Sequence, residues 1–369
     1  MGKVLRQGAL AALAIALLIG IFGAPATALA KKFSPVGAVY VMSNNTTNTV
    51  MVFKRNSKGA LKPSGSVKTG GMGSGSGLGS QGALAFSGDG KYLLAVNAGS
   101  ADISVFMIGR YGDLKKVNEV SSEGTMPVSI TSRGQWVYVL DRGGSGNIAG
   151  FSINKHGHLT FLAGSMQHLS NLGVGASPVA QQISFKPRSN LIVVTELSTN
   201  MIDVYALAAG GVAGAPTVQL SIGTAPYGFG FTHSGTLIVS NAASATLSSY
   251  KVSASTLSVV SSAVPDFQLA PCWVVVSPDG THAYTADAHS NDISIYNVKS
   301  NGKISLEKSA AVKPSTPLDL AMTGNGKFLY ALATGAHRVA AYGVKKHGLL
   351  KGLGSVGLLP ASATGLVVW

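Results

Sequence analysis

The sequence predicts an all-β fold, a seven-bladed β-propeller whose C-terminal strand completes its first blade, and three observations carry that prediction. An aromatic residue closes a short alternating apolar run seven times, at Phe53, Phe106, Phe151, Tyr205, Tyr250, Tyr296 and Tyr342. Subtracting neighbours gives spacings of 53, 45, 54, 45, 46 and 46 residues, the size of a four-stranded blade. Gly, Asn, Asp and Ser turns bracket each run, as in antiparallel hairpins. The third observation lies at the ends, where the first unit lacks an innermost strand and the C-terminus supplies one.

The chain opens with Lys3 and Arg6, an uncharged apolar run from Gly8 to Ala24, and the small-x-small site Ala28-Leu29-Ala30 before Lys31. This pattern reads as a signal peptide over residues 1–30, with the propeller over 31–369. The apolar run is shorter than the about 20 residues of a spanning helix. No stable membrane anchor is therefore expected after cleavage, and the mature protein is expected to be exported, in the periplasm or outside the cell.

The first unit starts at Ala38-Val39-Tyr40-Val41, a second strand. The sixth unit shows the full repeat. Trp273-Val274-Val275-Val276 is its first strand, Ser277-Pro278-Asp279-Gly280 a turn, and His282-Ala283-Tyr284-Thr285 the second strand. A turn over Asp287 to Asn291 leads to Ile293-Ser294-Ile295-Tyr296, and Ser300-Asn301-Gly302 leads to Ile304-Ser305-Leu306. At the far end Leu359-Pro360 introduces Thr364-Gly365-Leu366-Val367-Val368, which stands where the missing first strand should be. Closure of this kind leaves only short sheet edges, and a monomer is expected. No unit carries a Trp-Asp pair, so the repeat is not of the WD type.

The two long spacings mark insertions, Gly70 to Gly79 and His168 to Gly175. The first lacks a following Lys-Ser or Lys-Thr and has no helix to open, so it reads as a flexible loop and not as a phosphate cradle. Removing Lys3 and Arg6 from the 28 basic residues leaves 26 against 14 acids, a charge of +12. Such a surface can attract anionic polymers or headgroups, and the expected partner is a small-molecule ligand or an anionic envelope polymer. The Lys residues fall in separate turns, which suggests decoration of individual blades and not one stripe, and no aromatic-interleaved groove suits nucleic acid. Cys272 is the single cysteine, in an apolar run, so no internal disulfide is available and a buried thiol is expected.

The units Tyr40-Val41-Met42-Ser43-Asn44 and Tyr138-Val139-Leu140-Asp141 and the turn Ser277-Pro278-Asp279-Gly280 resemble the repeat of the bacterial seven-bladed lactonase propellers. That family includes 6-phosphogluconolactonases and 3-carboxymuconate cyclases. The resemblance implies chemistry without metal or cofactor, performed by His, Arg and Glu side chains around one mouth of the channel. It places the basic pair after the Pro that opens a first strand. Here those places hold Val128-Ser129, Tyr227-Gly228, Cys272-Trp273, Leu318-Asp319 and, in the fourth unit, Gln181-Gln182, none of them basic.

The resemblance also implies a Glu at the end of a second strand. Six residues before the first apolar residue of each third strand, seven in the third unit, stand Asn44, Asn97, Asp141, Glu196, Asn241, Asp287 and Ala333. Asn and Asp there are explained by bonds to their own turn backbone. Glu196 is too long for that and reads either as a ligand contact or as a surface carboxylate, one place before the family's Glu. The candidate catalytic residues are Glu196, His289 and Arg142, the last also explicable as an ion pair with Asp141. The candidate ligand-binding residues are Gln181, Gln182, Tyr227, Trp273, Asp287 and Asp319. Two readings follow. One is a catalytically degenerate propeller that binds a small ligand or envelope partner at one channel mouth. The other is a metal-independent lactone hydrolase or cycloisomerase.

Overall fold

The computed structural model describes residues 33–369, so the expected signal peptide lies outside the described residues. Among the described residues seven antiparallel sheets form the ring, and in all but the first the innermost, second, third and outermost strands follow in chain order, the third blade adding a short fifth strand. The sixth blade is typical: Pro271–Val276, His282–Asp287, Asp292–Val298 and Ile304–Val312. In the first blade the innermost strand is the C-terminal Thr364–Val368, which pairs antiparallel with Pro35–Met42, Tyr40 opposite Val367. Trp369 extends the closure by donating its N–H to Ala38 O at 2.8 Å.

The seven repeat aromatics lie on the third strands and are buried, because alternation turns every second side chain into the interface between neighbouring blades. A second set of aromatics does equal work and escaped the sequence reading. Second-strand tyrosines reach into the next blade and donate to a carbonyl of its third-to-fourth turn: Tyr40 to Gly112 at 2.9 Å, Tyr138 to Gly211 at 2.6 Å, Tyr284 to Gly348 at 2.9 Å and Tyr330 to Gly59 at 2.9 Å. Tyr330 thereby links the seventh blade to the first. Glycine is required at the receiving turn: Gly59 has φ +81° and a Cβ there would lie 2.3 Å from the Phe328 ring.

Strand direction sorts the loops onto two faces. The connectors between blades and the second-to-third turns share one, here the connector face. The first-to-second and third-to-fourth turns share the other, the hairpin face. The hairpin-face turns carry Lys58, Arg110, Lys155, Lys299, Lys303, Lys345 and Lys346 after third strands, and Lys91, Lys186, Arg188 and Lys327 after innermost ones, against Asp89, Asp113 and Asp279. The connector-face loops carry only Arg142 and Lys313 against Glu123 and Asp266, and expose Met72, Leu172, Val174, Ile222, Phe267, Leu269 and Leu358. The basic residues do sit on separate blades as expected, and the turns that hold eleven of them project from one side of the disc.

Candidate functional site

The innermost strands line the channel and begin at the connector face, so the residues after each opening Pro stand at that mouth. There the glycine-rich insertion, read as a flexible loop, runs on through Leu78 and Gly79 into a segment held by hydrogen bonds. Residues 78–82 cross the mouth and are bonded to the third, fourth and sixth blades. Ser80 donates Oγ to Val128 O at 2.8 Å and its carbonyl accepts from Trp273 Nε1 at 2.9 Å. Gln81 donates its backbone N–H to Gln181 O at 3.1 Å. Its side chain spans to the sixth blade, donating Nε2 to Val274 O at 2.7 Å and accepting from Val274 N at 3.0 Å. Its carbonyl takes Ser129 Oγ at 2.6 Å, and Gly82 O takes Ile130 N at 2.8 Å. Gly228 leaves room for this: a Cβ there would sit 2.2 Å from Gln81 Oε1 and 2.5 Å from Cys272 O.

Arg142 clasps the same plug. Its guanidinium donates to Leu78 O at 2.7 Å, Gly79 O at 3.1 Å, Ala180 O at 2.8 Å and Gln181 Oε1 at 3.1 Å. The alternative of an ion pair with Asp141 is corrected, because the bonds run to carbonyls and burial lowers the guanidinium pKa. Tyr227 and Trp273 pack edge to face beside it, centroids 5.1 Å apart. Arg142, Gln181, Tyr227 and Trp273 therefore do converge at one mouth, but around the protein's own backbone.

Behind the plug the channel continues as a cavity of about 360 Å³, floored by Gln81 and Gly82 and flanked by Gln182, Asp319 and the later halves of the innermost strands. Its outer lining, Phe86, Ser184, Met322 and Val368, is half-buried, so the cavity opens toward the hairpin face. Gln182 is engaged by Phe229, donating Nε2 to its carbonyl at 3.0 Å and accepting its N–H at 2.6 Å. Asp319 accepts from Leu320 N at 2.9 Å and from Leu366 N at 3.1 Å. Burial pushes its carboxyl up to about 7, the two N–H donors only partly opposing it. Among the described residues it is the one ionisable side chain lining the cavity.

The recurrent second-strand ends lie away from this cavity. Their Asn and Asp side chains do not bond their own turn backbone as expected. They tie the third strand and the incoming connector instead: Asn241 donates to Thr246 Oγ1 and Ser248 Oγ, both at 3.0 Å, and accepts from Ser221 Oγ at 3.3 Å. Asp141 accepts from Ser122 Oγ at 2.6 Å. Glu196 is the long member of this series and is fully buried, so the surface-carboxylate reading is corrected. It accepts Ser170 N at 2.9 Å and the hydroxyls of Ser170 and Thr199, and so anchors the second insertion. Asp287 is equally buried, bonded by Ser294 Oγ at 2.8 Å and faced by Asp266; burial, first, and that neighbour push its carboxyl well above the usual carboxylate range. His289 is exposed on the following turn. Glu196, Asp287 and His289 thus share no partner with Arg142.

The family model described as Lactonase, 7-bladed beta-propeller, matches residues 31–172 and 144–362. No curated protein matches the chain. Among solved structures, a putative 6-phosphogluconolactonase from Bacteroides uniformis is similar at a TM-score of 0.72 and 20% identity, covering 89% of this chain and 99% of its own. A periplasmic gluconolactonase of Pseudomonas aeruginosa is similar at 0.69 and 14%, covering 90% and 98%. A protein from Lactobacillus plantarum is similar at 0.73 and 17%, covering 90% and 99%. At these identities the likeness concerns the fold.

Proposed function

The chain belongs to the seven-bladed β-propeller lactonase family, and we propose that it is an exported, catalytically degenerate member that binds a small ligand in its channel. The observation that carries this reading is the plug. Opening a lactone ring develops negative charge on oxygen, and losing one positioned donor in such a site costs on the order of 10² to 10³ in rate. Here the places of the expected basic pairs hold uncharged residues or an acid, and the donors at that mouth, Arg142 and Trp273, are spent on backbone carbonyls. The cavity behind the plug keeps a volume suited to a small molecule and one ionisable anchor, Asp319. Export is supported by the basic start, short apolar run and Ala28-Leu29-Ala30 site.

The second reading, a lactonase, is favoured by one observation, the carboxyl of Asp319, whose pKa of about 7 suits a proton-transfer group. The test is hydrolysis of a lactone panel by residues 31–369, with calorimetric titration of the same compounds. The proposal expects binding without turnover, and binding that weakens in Asp319→Asn. Turnover at about 10⁴ M⁻¹s⁻¹ or more, ordinary enzyme efficiency, would promote the lactonase. Loss of that turnover in Asp319→Asn would place it in the cavity, and loss in Glu196→Gln alone would move it to the second-strand end. Mass spectrometry of the exported protein decides the leader: an N-terminus at Lys31 is expected.

A further inference from the structure

The two faces of the disc differ in charge by more than composition requires. The hairpin-face turns hold eleven Lys and Arg against three carboxylates, the connector-face loops two against two. All of the eleven but Lys186 are exposed, and Lys91 alone among them is paired with a carboxylate, Asp89 at 3.2 Å. We propose that the hairpin face docks flat on an anionic lipid surface.

Three features select a lipid surface over a linear polyanion. The basic turns come from six of the seven blades and surround the channel opening, so they form a ring in one plane and not the stripe that a chain of phosphates would follow. On the same face Tyr111 is 47% exposed, with the Arg110 guanidinium 5.3 Å from its ring centroid. An aromatic ring beside a cation is the pairing that settles at headgroup level. The described chain also enters here, since Pro35 pairs with Asn56 beside the turn that holds Lys58, and the sequence places Lys31 and Lys32 just before that entry. Docked this way, the open end of the channel faces the leaflet.

The test is flotation of residues 31–369, whose ring closes without the preceding segment, with phosphatidylcholine vesicles lacking or containing phosphatidylglycerol. Binding is expected only with the anionic lipid, weakening at least tenfold between about 0.1 M and 1 M salt as the screening length falls from about 10 to about 3 Å. Each Lys near such a surface contributes about fivefold. The combined variant Lys58→Glu, Lys155→Glu, Lys345→Glu and Lys346→Glu should therefore bind at least about 100-fold more weakly. Lys68→Glu with Lys313→Glu, exposed at the opposite face, should bind like the parent. The proposal is overturned by equal binding to neutral vesicles, by an equal loss in the opposite-face variant, or by capture of soluble polyphosphate without binding to vesicles.

Discussion

Arg142→Met tests the plug most directly. The guanidinium makes four hydrogen bonds, two of them to the plug carbonyls of Leu78 and Gly79 and two to the fourth blade. Charged hydrogen bonds contribute about 1.5–3 kcal/mol each, but Gly79 is exposed, so water can replace its bond. Counting only Leu78 O and Ala180 O as left without a donor gives a loss of about 3 kcal/mol or more. A two-state ring of this size unfolds with an entropy of about 0.7 kcal/mol/K, so the melting temperature should fall by about 4 °C. Methionine retains much of the packing volume, which makes the lost donors the main change. Calorimetry gives the shift, and hydrogen exchange at Gln81 and Ile130 shows whether the plug loosens. Arg142→Lys should recover only part, because one ammonium cannot reach carbonyls on both sides. An unchanged melting temperature with unchanged exchange at Gln81 would show that the clasp contributes nothing.

Three further outcomes follow from the same contacts. Tyr330→Phe leaves the buried carbonyl of Gly59 without its donor between the last and first blades, and should cost about 1–3 kcal/mol in denaturant unfolding; no change in the midpoint would remove this bond from the closure. Gly228→Ala puts a methyl 2.2 Å from Gln81 Oε1, so it should expel the Gln81 side chain from the sixth blade and raise amide exchange at Val274, whereas unaltered exchange would show that the plug has slack. Burial raises the folded pKa values of Asp319, Asp141 and Asp203 to about 7, 8 and 9. Unfolded carboxyls titrate at about 3.9, so this stability is complete below about pH 4 and is lost as pH rises through the folded values. The protein should melt higher at pH 4 than at pH 8, Asp319→Asn should flatten the part of that fall below about pH 7, and a profile that rises with pH would refute the assignment.

The ring, its seven units and its closure by the C-terminal strand were legible in the chain, because alternation, turn residues and spacing are local properties repeated seven times. The sequence also put Gln181, Tyr227 and Trp273 on innermost strands, which is where they stand, but it grouped with them Glu196, Asp287 and His289, which lie elsewhere. What Glu196 does was not legible, since its partners Ser170 and Thr199 are set by the path of an insertion and not by any motif. Nor was the ring of tyrosine bonds, because each joins a second strand to a turn in the next blade, such as Tyr330 to Gly59, 271 positions apart. The plug is the deepest case. A glycine-rich run carries no periodicity, so nothing local distinguishes a free loop from a segment held by Arg142, Gln181, Trp273 and Val274. Those donors and acceptors come from three blades and converge only when the ring is closed, so only the tertiary structure decides that one mouth of the channel is filled and the other open.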